Sequence, residues 1–217
     1  VWGEQGPQDM IIWSSAMEYL SSIANHCIFE CPEKLVSLFS RSLPNITVEA
    51  EKRSLDHNRD DFDVHIPIGS LFKCFFSKIS KRKTCKPFLK TDVKRVNFWK
   101  TRLSSLGARP FVGISWKSLS EDYTTQRTVS IDRICEGLDP KSNTVVVLQP
   151  KVEQDEIKRI EKLGFDVISN FDCHNDINLV FALISHCEEV ISIANSVAHF
   201  SGALNKPTSL LLPRVPS

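Results

Sequence analysis

The sequence lacks a long apolar run, a charge excess and a cysteine pairing pattern, and each absence removes a class of protein. No stretch approaches the ~20 apolar residues of a membrane span. The first residues also lack the basic-then-apolar order of a secretion signal. Lys and Arg (27) nearly cancel Asp and Glu (26), leaving a formal charge of +1, so the whole-chain field announces no polyanionic partner. With only 8 glycines and 11 prolines in 217 residues, and 41% hydrophobic residues, the composition is that of a globular chain, which excludes collagen and disorder. The seven cysteines, Cys27, Cys31, Cys74, Cys85, Cys135, Cys173 and Cys187, form no Cys-x-x-Cys pair and no Cys/His zinc spacing. Their odd number reads as free thiols in a reducing compartment, and a cytoplasmic location is the expectation. Asn45-Ile46-Thr47 matches a glycosylation acceptor, which matters only in a secreted protein. The chain has no initial Met, opens on an apparent strand end at Val1-Trp2-Gly3 and has no helix after its last strand, so it is expected to be a piece of something longer at both ends.

What is present is alternation. A Gly-containing loop, Gly3 to Gln8, leads into apolar residues at helical spacing from Asp9 to Ile23. His26 to Glu30 reads as a strand, Pro32 to Phe39 as a helix, Ile46 to Val48 as a strand and Phe62 to Ile66 as a strand stopped by Pro67 and Gly69. Gly107-Ala108-Arg109-Pro110 then punctuates the chain and predicts a boundary between residues 1–108 and 109–217. Beyond it, strands at Phe111 to Trp116, Thr144 to Leu148, Asp166 to Ile168, Glu189 to Ile193 and Thr208 to Leu212 alternate with helices at Val152 to Leu163, Asp176 to His186 and Ser196 to Leu204. Continuous apolar strands separated by helices predict an α/β architecture of parallel sheets covered on both faces, in two Rossmann-like halves.

In such sheets ligands bind beyond the carboxyl ends of the strands, where loops feed helix N-termini. Three places fit. Ala194-Asn195-Ser196-Val197-Ala198-His199 follows a buried strand and opens a helix; it suits a phosphate, or is an ordinary N-cap with His199 packed in the first turn. Ser115-Trp116-Lys117-Ser118 ends another strand and offers hydroxyls and an ammonium to a diphosphate, or a merely solvated lysine. Asp9 opens a helix beside Gly3 and Gly6, as a base or as a first-turn carboxylate favoured by the dipole. Two rival features read more simply. Between Lys78 and Arg102 there are ten basic residues and only Asp92 acidic, interleaved with Phe88, Phe98 and Trp99; the stretch is taken as the wet face of a helix over Val93 to Leu106, and nucleic acid is not the expected partner. Asp61-Phe62-Asp63 has the D-x-D spacing of a divalent-metal diphosphate site, but with Asp60 it sits where turn-forming aspartates are common, so no metal site is assigned. His174 and His186 lack a partnered cluster and carry no functional claim.

Taken together, these segments resemble a known family. Trp2-Gly3-Glu4-Gln5-Gly6-Pro7-Gln8-Asp9 is similar to the W-G-E-Q-G-x-G-D opening of the glycosyltransferase-like domains that follow TPR arrays in bacterial proteins, relatives of the heptosyltransferases. VGISWKS (Val112 to Ser118) resembles their first strand of the second domain, and ISIANSVAHFSGALNKPTSLLLP (Ile191 to Pro213) their donor-site strand, helix and closing strand. The resemblance implies a GT-B fold of two Rossmann-like domains facing a cleft. It implies an inverting, metal-independent transfer of sugar from a nucleotide-diphosphate donor, needing no cofactor, to a glycan or protein hydroxyl, with a TPR region upstream. By the same resemblance Asp9 is the base, with Gly3 and Gly6 in the acceptor loop. The donor falls to Ser115, Lys117, Gln149, Glu153 near the ribose, and Asn195, Ser196, Val197, Ala198 and His199; Arg127 fits a further basic position. Where the family has G-L-G-D the chain has Gly6-Pro7-Gln8-Asp9. That departure keeps open the alternative of a non-catalytic GT-B-like binding module.

Overall fold

The computed structural model describes residues 1–51, 61–80, 87–105, 110–118 and 128–212. The chain divides into two compact units, Val1–Lys90 and Thr91–Ser217. The sequence places the break later, at 108/109, on the Gly107 to Pro110 punctuation, of which residues 107–109 lie outside the described residues. The division falls at 90/91 for a reason visible in the bonding. Lys90 N–H donates to Ser42 Oγ (2.9 Å) and Arg41 Nε donates to the Lys90 carbonyl (2.9 Å), which fastens the segment ending at Lys90 to the first unit. The next helix, α5 (Val93–Ser104), packs instead on α8 (Ile177–His186). There Arg95 pairs with Asp176, His186 Nε2 donates to the Val96 carbonyl (2.8 Å), and the Trp99 ring meets Phe171 edge-on at 5.1 Å.

In the first unit α1 (Pro7–Trp13), a 3-10 turn (Ser14–Ala16) and α2 (Met17–Leu20) replace the single helix expected over Asp9 to Ile23. β1 (Ile28–Cys31) pairs in parallel with β2 (Thr47–Ala50), Ile28 opposite Thr47, with α3 (Glu33–Ser42) between them in sequence. Trp2 makes isolated parallel bridges to Glu30 and to Pro67. The expected strand over Phe62 to Ile66 does not form; its register survives only as the Trp2 N–H donating to the Ile66 carbonyl (3.2 Å) and the Ile68 N–H to the Trp2 carbonyl (3.0 Å). Pro67 then caps a helix that the sequence pattern does not predict, α4 (Ile68–Ile79). Phe29, Leu35, Leu38, Phe39, Met10, Ile11 and Met17 are buried and form this unit's interior.

The second unit holds a five-stranded, wholly parallel sheet in the order β5-β4-β3-β6-β7. The strands are β3 (Phe111–Ser115), β4 (Thr144–Val147), β5 (Asp166–Ile168), β6 (Glu189–Ile193) and β7 (Thr208–Leu211). The connecting helices are α6 (Ile131–Cys135), α7 (Gln154–Lys162), α8 and α9 (Ser196–Ala203). On one face Val112, Ile114, Val145 and Val147 pack with Trp116 and with Ile131, Ile134, Ile157 and Ile160 of α6 and α7. α8 is apolar nearly all round, burying Ile177, Val180, Phe181, Ala182, Leu183 and Ile184, which suits a helix with sheet on one side and helices on others. From β3 the chain steps to β4 and β5, then returns to add β6 and β7 on the opposite side of β3. The strand order therefore reverses between β3 and β6, the point where open α/β sheets leave a crevice at their carboxyl ends.

Candidate functional site

Three buried or half-buried side chains tie the carboxyl ends of β3, β4 and β6 together. Gln149, two residues past β4 and 2% exposed, accepts at one oxygen the Trp116 N–H (3.0 Å), the Lys117 N–H (3.0 Å) and the Ser115 hydroxyl (3.1 Å). Its amide NH₂ donates to the Pro150 carbonyl (2.9 Å). Two backbone N–H donors fix which end of the amide faces β3, because only its oxygen can accept them. Asn195, just past β6, is the N-cap of α9: its oxygen accepts the Val197 N–H (3.0 Å) and shares the Ser192 hydroxyl proton (3.0 Å) with the Ile193 carbonyl (2.9 Å), and its nitrogen donates to Ser115 Oγ (2.7 Å).

The single Ser115 proton is given to Gln149 and one of its lone pairs is taken by Asn195, so this fully buried hydroxyl is a joint between strands and has no proton to offer a ligand. Val197 is buried through its side chain, and its N–H already serves the cap.

Lys117 stands one step further out. Its ammonium donates to Glu156 Oε2 at 2.7 Å, and the two side chains are 21% and 22% exposed. Glu156 also accepts the Trp116 indole N–H at Oε1 (2.9 Å) and the Glu153 backbone N–H at Oε2 (2.8 Å). Burial works against the charged carboxylate, but the Glu153 N–H, the Lys117 ammonium and the Trp116 indole outweigh it and hold Glu156 below the ordinary glutamate range. Glu153 is the N-cap of α7. Ser115, Lys117, Gln149, Glu153 and Asn195 are thus joined in one network at the reversal point, and Ser196, Ala198 and His199 occupy the first turn of α9 beside it. Sequence reasoning misses Glu156 and places Trp116 in a candidate segment without a role of its own. The available signal is the Glu153-x-x-Glu156 spacing, a helix-start pattern, following a strand whose neighbour ends in Trp-Lys.

The other candidate region lies in the first unit. The Gly3 N–H donates to the Glu30 carbonyl (2.8 Å). Glu4 reaches across to the start of α4, where its carboxylate accepts the Gly69 N–H (3.0 Å). A Cβ on Gly69 would lie 2.5 Å from that carboxylate oxygen and 3.3 Å from the Trp13 ring, so glycine is what allows the approach. Asp9 Oδ2 accepts the Gly6 N–H at 3.3 Å, the reach-back of a third-position carboxylate to its helix cap. Of the remaining sequence features, Asp60 and Arg127 lie outside the described residues, as do Lys81, Arg82, Lys83 and Lys86 of the basic stretch. Among the described residues no three His, Cys, Asp or Glu side chains gather so as to hold a metal ion, and no helix is long and apolar enough to cross a membrane.

The fold defines a class. The chain has the GT-B glycosyltransferase fold of heptosyltransferase-like proteins. A family 9 glycosyl transferase from Veillonella parvula superposes with a TM-score of 0.69 over 99% of this chain and 81% of its own, at 12% identity. The ADP-heptose LPS heptosyltransferase II of E. coli gives 0.62 over 96% and 82%, at 13% identity. TibC, an iron-containing dodecameric glycosyltransferase of E. coli, gives 0.55 over 96% and 56%, at 14% identity. In sequence the chain is similar to the protein FlbA of Caulobacter vibrioides, 28% identical over 193 residues, which cover 82% of this chain. The chain spans about a third (32%) of FlbA's length. No protein-family model matches the chain.

Proposed function

We propose that the protein is a glycosyltransferase that moves a sugar from a nucleoside-diphosphate donor to an acceptor hydroxyl, with inversion and without a metal ion or other cofactor. The observation that carries the reading is the network of Gln149, Asn195 and Ser115 at the reversal point of the second unit's sheet, in a fold whose solved examples include a heptosyltransferase named for ADP-heptose. In this reading the N-cap and first turn of α9, Asn195 to His199, and Lys117 receive the donor diphosphate, and Glu153 lies toward the ribose. Gln149 and Ser115 hold those groups in place. Asp9 takes the proton of the acceptor hydroxyl, with Gly3 and Gly6 letting the acceptor approach. As the new C–O bond forms at the anomeric carbon, the bond to the diphosphate breaks, and the charge on the leaving group falls on the helix N-terminus and the lysine. The acceptor is a glycan or a protein, the compartment the cytoplasm, and a TPR region the expected upstream neighbour.

A second reading has an observation of its own. Asp9 already reaches back to Gly6 N–H and Lys117 is already paired with Glu156, which favours a module that binds a nucleotide and no longer transfers sugar. One experiment separates them. Thermal unfolding is followed with ADP, UDP, GDP and CDP, where a ligand at ~100 times its dissociation constant adds about 2.7 kcal/mol. The matching sugar donors, ADP-heptose included, are then assayed for transfer. The expected result is stabilisation confined to one base, weakened by Lys117→Ala and by His199→Ala, with donor-dependent product lost in Asp9→Asn while the fold is kept. Stabilisation without product selects the binding module, and stabilisation by no nucleotide overturns both.

A further inference from the structure

Resting on the reading of Lys117 as a diphosphate ligand, we propose that Glu156 is an anion gate on that site. Its carboxylate holds the Lys117 ammonium in the ligand-free protein, and a polyanionic group, not a neutral one, draws the ammonium away.

The pair is built asymmetrically. Glu156 is held at both oxygens by groups that do not depend on Lys117: the Trp116 indole at 2.9 Å and the Glu153 N–H at 2.8 Å. Trp116 is itself 2% exposed and packed in the core. When the ammonium leaves, the carboxylate keeps two donors and is not stranded. Lys117 is the movable partner. Its backbone is fixed to Gln149 at 3.0 Å, while the ammonium is a point charge with three rotatable donors at the end of a flexible stem. At about a fifth exposure on either side of the contact, an anion in solvent can reach the ammonium without opening the core.

Such a pair weakens every ligand that needs Lys117, since apparent affinity falls with the fraction of protein whose ammonium is uncovered. The penalty is offset only by a ligand that gains from the ammonium, and Glu156 repels an anion that approaches without engaging it. The gate therefore weakens anionic ligands and leaves neutral ones untouched. Glu156→Gln removes the charge that covers Lys117 and lifts that penalty.

The test measures equilibrium binding of inorganic pyrophosphate and of ADP, UDP and GDP with their monophosphates and nucleosides. The proteins compared are the wild type, Glu156→Gln, Lys117→Met and the double variant. The expected result is pyrophosphate and nucleoside diphosphate binding about fivefold tighter in Glu156→Gln, the scale of one partly exposed ion pair. Nucleosides stay unchanged, and the gain vanishes in the Lys117→Met background. Glu156→Asp, which keeps the charge but withdraws it by one methylene, tightens binding less and serves where Glu156→Gln does not fold. Unchanged or weaker diphosphate binding in a folded Glu156 variant, or an equal gain for nucleosides or without Lys117, overturns the gate and leaves the donor site standing. A wild type that binds none of the panel overturns both.

Discussion

The loop from Gly3 to Asp9 and the carboxyl edge of the second unit's sheet both carry the polar residues singled out for function, but they are wired differently. In the loop, side chains reach single backbone groups: Glu4 takes the Gly69 N–H and Asp9 the Gly6 N–H, beside the Gly3 N–H that donates to the Glu30 carbonyl. At the sheet edge they meet at nodes. Gln149 gathers Ser115, Trp116 and Lys117; Asn195 gathers Ser115, Ser192 and Val197; Glu156 gathers Trp116, Lys117 and Glu153. A node fails all at once. Gln149→Leu fills similar volume but leaves two backbone N–H groups and a buried hydroxyl without their acceptor, and each such loss costs ~1–3 kcal/mol. The expected destabilisation is about 4 kcal/mol by urea unfolding, with nucleotide-dependent stabilisation lost as well. A loss under about 1 kcal/mol would mean that the node is no more than a pair.

The pairwise region is probed at Gly69. An exposed helical Gly→Ala change normally stabilises, because alanine has the better helix propensity. Here the added methyl enters the space of the Glu4 carboxylate, 2.5 Å away, and touches Trp13. Gly69→Ala is therefore expected to reverse sign and cost about 1 kcal/mol, and in a Glu4→Ala background that cost shrinks to what the Trp13 contact alone imposes. Additive effects in that double variant would break the assignment of Glu4 as the cap of α4.

The same contrast explains which features are legible in the sequence alone. In the second unit β5 and β6 fall on the expected residues and the remaining strands within a residue or so; in the central β3 and β4, buried on both faces, the apolar run itself writes the strand's length. α4 is hidden because Pro67 and Gly69 read as stops. Proline in fact suits a helix start, and the glycine answers to Glu4, 65 positions away, which no local pattern encodes. α6, five residues from Ile131, is too short to show a period. The candidate site divides likewise. Asn195 is legible as a cap before a helix, whereas the pairing of Glu156 with Trp116 and Lys117 joins positions about 40 apart and exists only once β3 and β4 lie side by side. Ser115 stands out for its hydroxyl, yet its proton is directed to Gln149, a fact carried by bonding and not by residue type.

The smallest expected effect concerns Glu156 alone and shows whether its node bears charge. Its carboxyl is held below the ordinary glutamate range, so the folded protein binds the proton less readily than the unfolded chain. Its contribution is fully present above the unfolded value near pH 4.5 and disappears as pH falls through the lower, folded value. Glu156→Gln has no proton to take up. The stability of wild type relative to Glu156→Gln should therefore be greatest at about pH 6 and fall as the pH drops through about pH 4 and below. Because the pair with Lys117 is about a fifth exposed on each side, solvent screening keeps that fall under about 1 kcal/mol. Unfolding curves of the two proteins that run parallel over that range would show that the indole, the backbone N–H and the ammonium favour the charged carboxylate no more than water does. Glu156 would then be a shape-filling residue, and the sheet edge would owe its difference from the loop to Gln149 and Asn195 alone.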